Sequence, residues 1–381
     1  VVPPLGRATA VPALLLAGGA LLPAPRLRPL LTSPLLSPPF LLPRAPLPLR
    51  LLPRRRRRRL RRLILRPRCG RQGPASLSTS RASLMTGLYP YTNGMLGNGG
   101  NLRKNLPNVV TLSQLFRNNG YHAGRVSKIY HMGIPFEIIA GTADHDDAPS
   151  WDETVNIKAP EQKAPGKRTE WSPKDKSSQT FTGVEASTGD LEHADGMAAD
   201  AAIEFLKQNK DKPFFLGCGF VRPHVPLVAP SKYFDRYDRD AMVAPEVPKG
   251  DLDDVPKIIR NYKSIDRYGV TPELHKGLLE AYYASISYMD EQVGRVLEAL
   301  DELGLRENTI VIFSSDHGYL LGHHHKFQKQ HLFEESTRVP FILSVPWITT
   351  SHGHASNQIT ELVENRFKSQ SSKRIVYRWL A

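Results

Sequence analysis

Between about residue 74 and residue 346, apolar positions recur in two alternating rhythms. Val110 to Asn119 carries Leu112, Leu115 and Phe116 on one helical face and is followed by Gly120, so the spacing predicts a helix there. The run Tyr121 to Tyr130 then reads as a strand leading into a loop at His131-Met-Gly. Met197 to Lys210 repeats the helical rhythm, and Pro213 to Phe220 is a Phe-rich buried strand that runs into Val221-Arg-Pro-His-Val-Pro226. Thr271-Pro272 opens the longest helix, with Leu279, Tyr282, Ile286, Met289, Val293, Val296, Leu297 and Leu300 at spacings of three and four before Gly304 stops it. Asn308 to Ser315 and Pro340 to Val345 complete the predicted strands. Strands alternating with helices predict an α/β fold, a mainly parallel central sheet flanked by helices. Ligands of such sheets bind beyond the carboxyl ends of the strands, which places His131, His224 and Asp316 together, since each follows a predicted strand.

Two stretches lack either rhythm. Residues 134–190 are polar, with Trp151, Trp171 and many Lys, Asp, Ser and Pro, and read as a long surface excursion. Residues 1–72 are Leu, Pro, Ala and Arg, with prolines spread from Pro3 to Pro53, and read as a low-complexity segment that does not fold with the rest. Thr9 to Leu22 within it faintly resembles the apolar centre of a signal peptide, with only Arg7 as positive flank, and is too short to span a bilayer. The domain reading is therefore 1–72 apart, a core over 73–365, and a divergent basic tail over 366–381.

Charge sharpens this division. The chain's formal charge is +14, but residues 1–71 hold sixteen Arg and no acid, so the remaining 310 residues carry a net −2. A nearly neutral body argues against nucleic acid as the partner of the core, and the run Arg54 to Arg59 is the one place where such contact has a basis. Two cysteines, Cys69 and Cys218, cannot make a disulfide framework, and Cys218 sits in an apolar run that marks it as core.

Three separated clusters share a chemical theme: Lys128 with His131, His224 after Arg-Pro, and Asp316-His317 followed by Lys329. A carboxylate beside an imidazole at a strand end can ligate a divalent cation, and lysines and histidines around it suit a multiply charged oxyanion. Singly, each has a structural explanation. The run His323-His324-His325 reads as an exposed turn, with His324 near the pocket as the alternative.

The segment Ser80-Arg-Ala-Ser-Leu-Met-Thr-Gly-Leu-Tyr-Pro90 resembles the sulfatase signature without a gap from Ser80 through Arg81, Met85, Thr86 and Gly87. Val126-Ser-Lys-Ile-Tyr-His131, Phe220-Val-Arg-Pro-His-Val-Pro226, Ser315-Asp-His-Gly-Tyr-Leu-Leu-Gly322 and Phe327-Gln-Lys329 continue the match in order. Over roughly residues 80–346 the chain resembles the sulfatases of the alkaline-phosphatase-like superfamily, and within them the iduronate-2-sulfatase branch. The resemblance implies a calcium-dependent sulfuric ester hydrolase acting on a sulfated sugar or glycosaminoglycan, with a formylglycine nucleophile made from Cys or Ser. It implies that Arg81 steadies that residue, that Lys128 and His131 polarise its hydrate, and that His224 and Lys329 hold sulfate oxygens or protonate the leaving alcohol. It makes Asp316 and His317 calcium ligands, the partner a sulfated carbohydrate rather than a nucleic acid, and the location periplasmic or secreted with no transmembrane segment.

The pattern fails at two points within that reach. Counting back four from Arg81 puts Leu77 at the nucleophile position, where no formylglycine can form, and Thr79 stands where Pro or Ala belongs. The family's first strand ends in two aspartates, yet no acid precedes Glu137, so the calcium site and the central strand are both expected to be missing. The family's C-terminal subdomain has no counterpart either, so the chain reads as cut short at both ends. The expectation is a sulfatase core without turnover, with a non-catalytic binder of sulfated glycans as the alternative. A phosphate-processing cousin would need a Ser or Thr nucleophile and more Asp and His ligands than are visible.

Overall fold

A computed structural model of the chain describes residues 13–18, 77–175, 181–348, 353–355, 361 and 363. Six strands form the main sheet: β1 (Ala13–Gly18), β2 (His122–Ser127), β3 (Glu153–Val155), β6 (Phe214–Gly219), β8 (Ile310–Ser315) and β11 (Phe341–Ser344). Their spatial order is β11-β8-β1-β6-β2-β3. All neighbours are parallel except β11, which runs antiparallel to β8 at one edge. The α/β expectation therefore holds.

The expected gap at the centre of the sheet is not there. β1 lies between β6 and β8, with Leu15 in register with Gly217 on one side and Ile312 on the other. The expectation that residues 1–72 stand apart thus fails at Ala13–Gly18. A central parallel strand is buried on both faces and reads as a continuous apolar run, so the absence of period-2 alternation did not exclude one. The Arg54 to Arg59 run, the ends of the Thr9 to Leu22 stretch and the tail 366–381 lie outside the described residues.

Helices cover both faces of the sheet. On one side lie α3 (Ala194–Asn209) and α4 (Pro272–Glu302), packed against each other. On the other lie α1 (Leu77–Thr86) and α2 (Leu112–Asn118). Successive side chains of β6 divide between them: Phe214, Leu216 and Cys218 join α3 and α4 in one cluster, and Phe215 joins Ala82 and Met85 of α1 in the other. Burying each such Phe stabilises the fold by roughly 1.5–3 kcal/mol. The start signal at Thr271 behaves as the sequence predicts, capping α4 by accepting from the Leu274 amide, and Thr111 caps α2 in the same way by accepting from that of Gln114. Gly124 in β2 lets Phe205 of α3 lie directly on the sheet: a Cβ there would fall 2.1 Å from the Phe205 ring.

The stretch 134–190 is not the surface excursion its polarity suggests. It supplies β3 to the main sheet, and its strands β4 (Gly166–Glu170) and β5 (Thr182–Ala186) join β7 (Leu227–Pro230) in a second sheet. Trp151 and Trp171 are each 4 % exposed and anchor it to the core. Two large aromatics outweigh a polar average, because each buries more apolar area than several small side chains together.

Candidate functional site

The strands β2, β1, β6 and β8 end at one level, with Ser127 paired to Gly219, Ala17 to Gly219 and Gly18 to Ser315. Each following turn delivers a functional side chain. Lys128 leaves β2 through Ser127, whose φ of 55° is a conformation that non-glycine residues hold at a cost and that clusters at functional sites. His224 sits in the loop after β6, and Asp316 and His317 follow β8 directly. Lys329 follows β10 (Phe327–Gln328), which pairs with β9 (Leu320–Leu321). Arg81 comes from the middle of α1. These six residues line one cleft together with Phe220, Val221, Pro223, Val225 and Tyr319.

Inside the cleft Arg81, His224 and His317 are each fixed by hydrogen bonds. Arg81 donates from Nε to Asp316 Oδ2 at 2.9 Å, and from Nη1 to the carbonyls of Lys128 (2.8 Å) and Ile129 (2.7 Å). His224 Nδ1 lies 2.7 Å from the Val225 carbonyl, which only accepts, so the proton is on Nδ1. The Nε2 lone pair of His224 then accepts from Lys329 Nζ at 2.9 Å. His317 is held in the same way by the Gly318 carbonyl at 2.8 Å, leaving Nε2 buried, without a hydrogen-bond partner and 3.8 Å from Asp316 Oδ1.

Burial and like charge set the protonation states. Burial, with Arg81 next to it, pushes Lys128 well below the usual lysine range. Lys329 is lowered by burial to about 8, with Asp316 opposing the shift. Burial and the two lysines keep His224 neutral, and burial lowers His317 to about 4 against the pull of Asp316. Burial alone would raise Asp316, yet Arg81, His317 and Lys128 hold its carboxyl well below the ordinary range. At neutral pH the cleft presents an ionised carboxylate tied to a guanidinium, two uncharged imidazoles and a cluster of amino groups.

Of the residues singled out from the sequence, Arg81, Lys128, His224, Asp316, His317 and Lys329 come together. His131 does not share this cleft. It lines an adjoining pocket with Ser78, Arg103, His145, Asp146 and Asp147, its ring 5.8 Å from that of His145. Burial and the positive charge of Lys128 lower it to about 3, and its Nδ1 has no hydrogen-bond partner. His324 lies apart, between Asp251 (2.8 Å) and Glu335 (3.3 Å) and stacked on Phe333.

A supporting network went unnoticed in the sequence. Asp195 of α3 accepts from the amides of Val221 (2.6 Å) and Arg222 (3.0 Å). Arg222 in turn donates to Glu161 (2.6 Å) and to the carbonyls of His224 and Pro226 (both 2.8 Å). All three charged side chains are buried and together fix the loop that carries His224. Asp195, desolvated, is raised to about 6. The Val-Arg-Pro-His run marks Arg222 in the sequence, but Glu161 and Asp195 carry no signal of their own. Gly219 completes the frame: a Cβ there would lie 1.9 Å from the Lys128 carbonyl oxygen.

The residues present do not fit a calcium ion. Calcium takes six to eight oxygen ligands. The cleft offers one carboxylate, with one oxygen already bonded to Arg81, and one imidazole nitrogen. No group of three or more His, Cys, Asp or Glu suited to a metal occurs among the described residues. Nor can the undescribed N-terminal residues supply one, because the sequence holds no acid before Glu137.

Fold and cleft together define an α/β protein of the alkaline-phosphatase-like kind, with cationic groups gathered beyond the carboxyl ends of its strands. A sulfatase family model matches residues 76–365, and the chain belongs to the sulfatase family. It is 30% identical over 293 residues to a sulfatase of Formosa agariphila, covering 72% of this chain and 55% of that protein. It is 31% identical over 309 residues to the iduronate 2-sulfatase of Homo sapiens, covering 75% and 54%. The chain therefore spans about half the length of these relatives. Among solved structures, a phosphonate monoester hydrolase of Agrobacterium radiobacter superposes with a TM-score of 0.61 at 21% identity, over 80% of this chain and 66% of that one. A protein in complex with its substrate D-glucosamine-2-N,6-O-disulfate gives 0.60 at 15% identity, over 94% and 76%, and both likenesses are of fold.

Proposed function

We propose that the cleft is a sulfate-ester site for a sulfated sugar or glycosaminoglycan, of the iduronate-2-sulfatase type, which in this chain binds the ester without turning it over. The observation that carries the reading is the convergence of Arg81, Lys128, His224 and Lys329, from four distant stretches, around a single carboxylate. Fixed donors of this kind suit a tetrahedral anion, since transfer of a charged sulfuryl group depends chiefly on positioning and electrostatic stabilisation. Lys329 and Lys128 donate to sulfate oxygens, His224 is oriented by Lys329, and Arg81 fixes the carboxylate and the Lys128 backbone. His131 faces the neighbouring pocket, where the sugar would extend. The names of relatives support the substrate class: iduronate 2-sulfatase in two mammals, and a structure holding a disulfated glucosamine.

Lack of turnover follows from position 77. Leucine has no heteroatom to oxidise, so the family's formylglycine cannot form, and none of the described residues lining the cleft is Ser, Thr or Cys. An active hydrolase is the competing reading, favoured by the assembly of Lys128, His224 and Lys329. We also place the protein outside the cytosol by family likeness; among the described residues no helix is long and apolar enough to cross a membrane.

The test is calorimetric titration with a sulfated disaccharide and its desulfated counterpart, together with an aryl sulfate assay. The expected outcome is saturable binding of the sulfated form only, weakened about tenfold or more by Lys329→Ala, and no hydrolysis. Hydrolysis abolished by Lys128→Ala or His224→Ala would establish the active enzyme instead. Equal binding of both disaccharides would remove the sulfate site altogether.

A further inference from the structure

The poor fit to calcium has a positive counterpart in the way Asp316 is used. Its Oδ2 accepts from Arg81 Nε at 2.9 Å, and the two side chains are 5 % and 4 % exposed. Arg81 cannot swing away cheaply, because its Nη1 is bonded to two main-chain carbonyls at the start of the Lys128 turn. The carboxylate thus has a built-in countercation, held by three hydrogen bonds in a buried setting, where charge-assisted bonds are strong.

The neighbouring strand ends point the same way. The last residue of β1, Gly18, is in register with Ser315, the residue that precedes Asp316. At that end of β1 the sequence reads Ala17-Gly18, and neither residue carries a carboxylate. The other groups lining the cleft are Lys128 and Lys329, both cationic when protonated, and His224, whose Nε2 is engaged by Lys329. A dication entering here would meet like charges and find two donor atoms, whereas a dianion would meet the amino groups of Lys128 and Lys329.

From this arrangement we infer that the cleft binds sulfate directly on its own side chains, with no divalent cation, Arg81 occupying the electrostatic role beside Asp316 that a metal would otherwise fill. This rests on the sulfate-site reading above. It changes the chemical character of the site from a metal-bridged anion to a salt-bridged one. It also gives Asp316 a structural duty, that of holding Arg81 and through it the Lys128 turn, rather than a ligand's duty.

The experiment uses the full chain and inorganic sulfate, titrated calorimetrically once in the presence of excess chelator and once in millimolar calcium chloride. The expected result is the same dissociation constant within about twofold in both. Sulfate binding that appears, or tightens tenfold or more, only with calcium overturns the inference while leaving the sulfate site standing. Absence of sulfate binding in both conditions overturns the site itself, and the inference with it. Direct titration with calcium alone gives a second reading: no saturable one-to-one binding is expected, and saturable binding lost in Asp316→Asn refutes it.

Discussion

Lys329 is the side chain on which pH acts most directly. Its amino group titrates near 8 because burial disfavours the ammonium, and it is within 2.9 Å of His224. Below that pH it is charged and donates to an anion; above it the charge is lost. Sulfate affinity is therefore expected to be level from pH 6 to 7 and to fall by about tenfold per unit beyond the titration point. Lys329→Arg should carry the plateau upward, since guanidinium keeps its proton; calorimetry across the range reads both. Stability responds with the opposite sign. A lysine lowered in the fold relative to the unfolded chain makes its protonated form a burden, so the Lys329 contribution to stability improves as pH rises from about 8 toward 10.5. The residues of this cleft were legible because each chemical group follows a strand-like run, and the sheet gathers strand ends at one place. His131 obeyed the same rule yet faces the next pocket, a matter of one turn of backbone that spacing does not encode. Glu161 and Asp195 were illegible for a different reason, namely that a buried charge looks like a solvated one until its partners are seen.

At the scale of elements, the loop after β6 depends on ion pairs contributed by segments far away in sequence. Removing one charge of a buried pair leaves the other desolvated and unmatched, at a cost of about 3–5 kcal/mol. Glu161→Gln, which strands Arg222, is accordingly expected to lower the free energy of urea unfolding by about 3 kcal/mol and to weaken sulfate binding through His224. β1 offers a second measurement. Both of its edges are hydrogen-bonded, so Leu15→Pro deletes a ladder bond in the middle of the sheet and is expected to lower the melting temperature and broaden the transition in a thermal scan. Helices α2, α3 and α4 and strands β2, β6, β8 and β11 were readable within two or three residues, because their periodicity is long and their caps are conventional. β1 was not, because six apolar residues among prolines and arginines carry no period. The 134–190 stretch was misread because its two buried tryptophans are outnumbered by polar neighbours.

For the molecule as a whole, ligand and fold are coupled through the concentration of positive charge at one end of the sheet. A ligand present at a hundred times its dissociation constant stabilises by about 2.7 kcal/mol. For a core of this size that is a rise of roughly 5 °C or more in melting temperature, expected for sulfate and absent for chloride at matched ionic strength in a thermal scan. The position of β1 has a further consequence, in time rather than in space. Its partners are residues 214–219 and 310–315, so once β1 has been synthesised it has neither of them until some two hundred residues have followed, and only one until about three hundred have. Contacts that distant in sequence are slow to close. While the ribosome is still at work, the middle of this sheet stays open, and a strand made well before its partners is among the last to find its place.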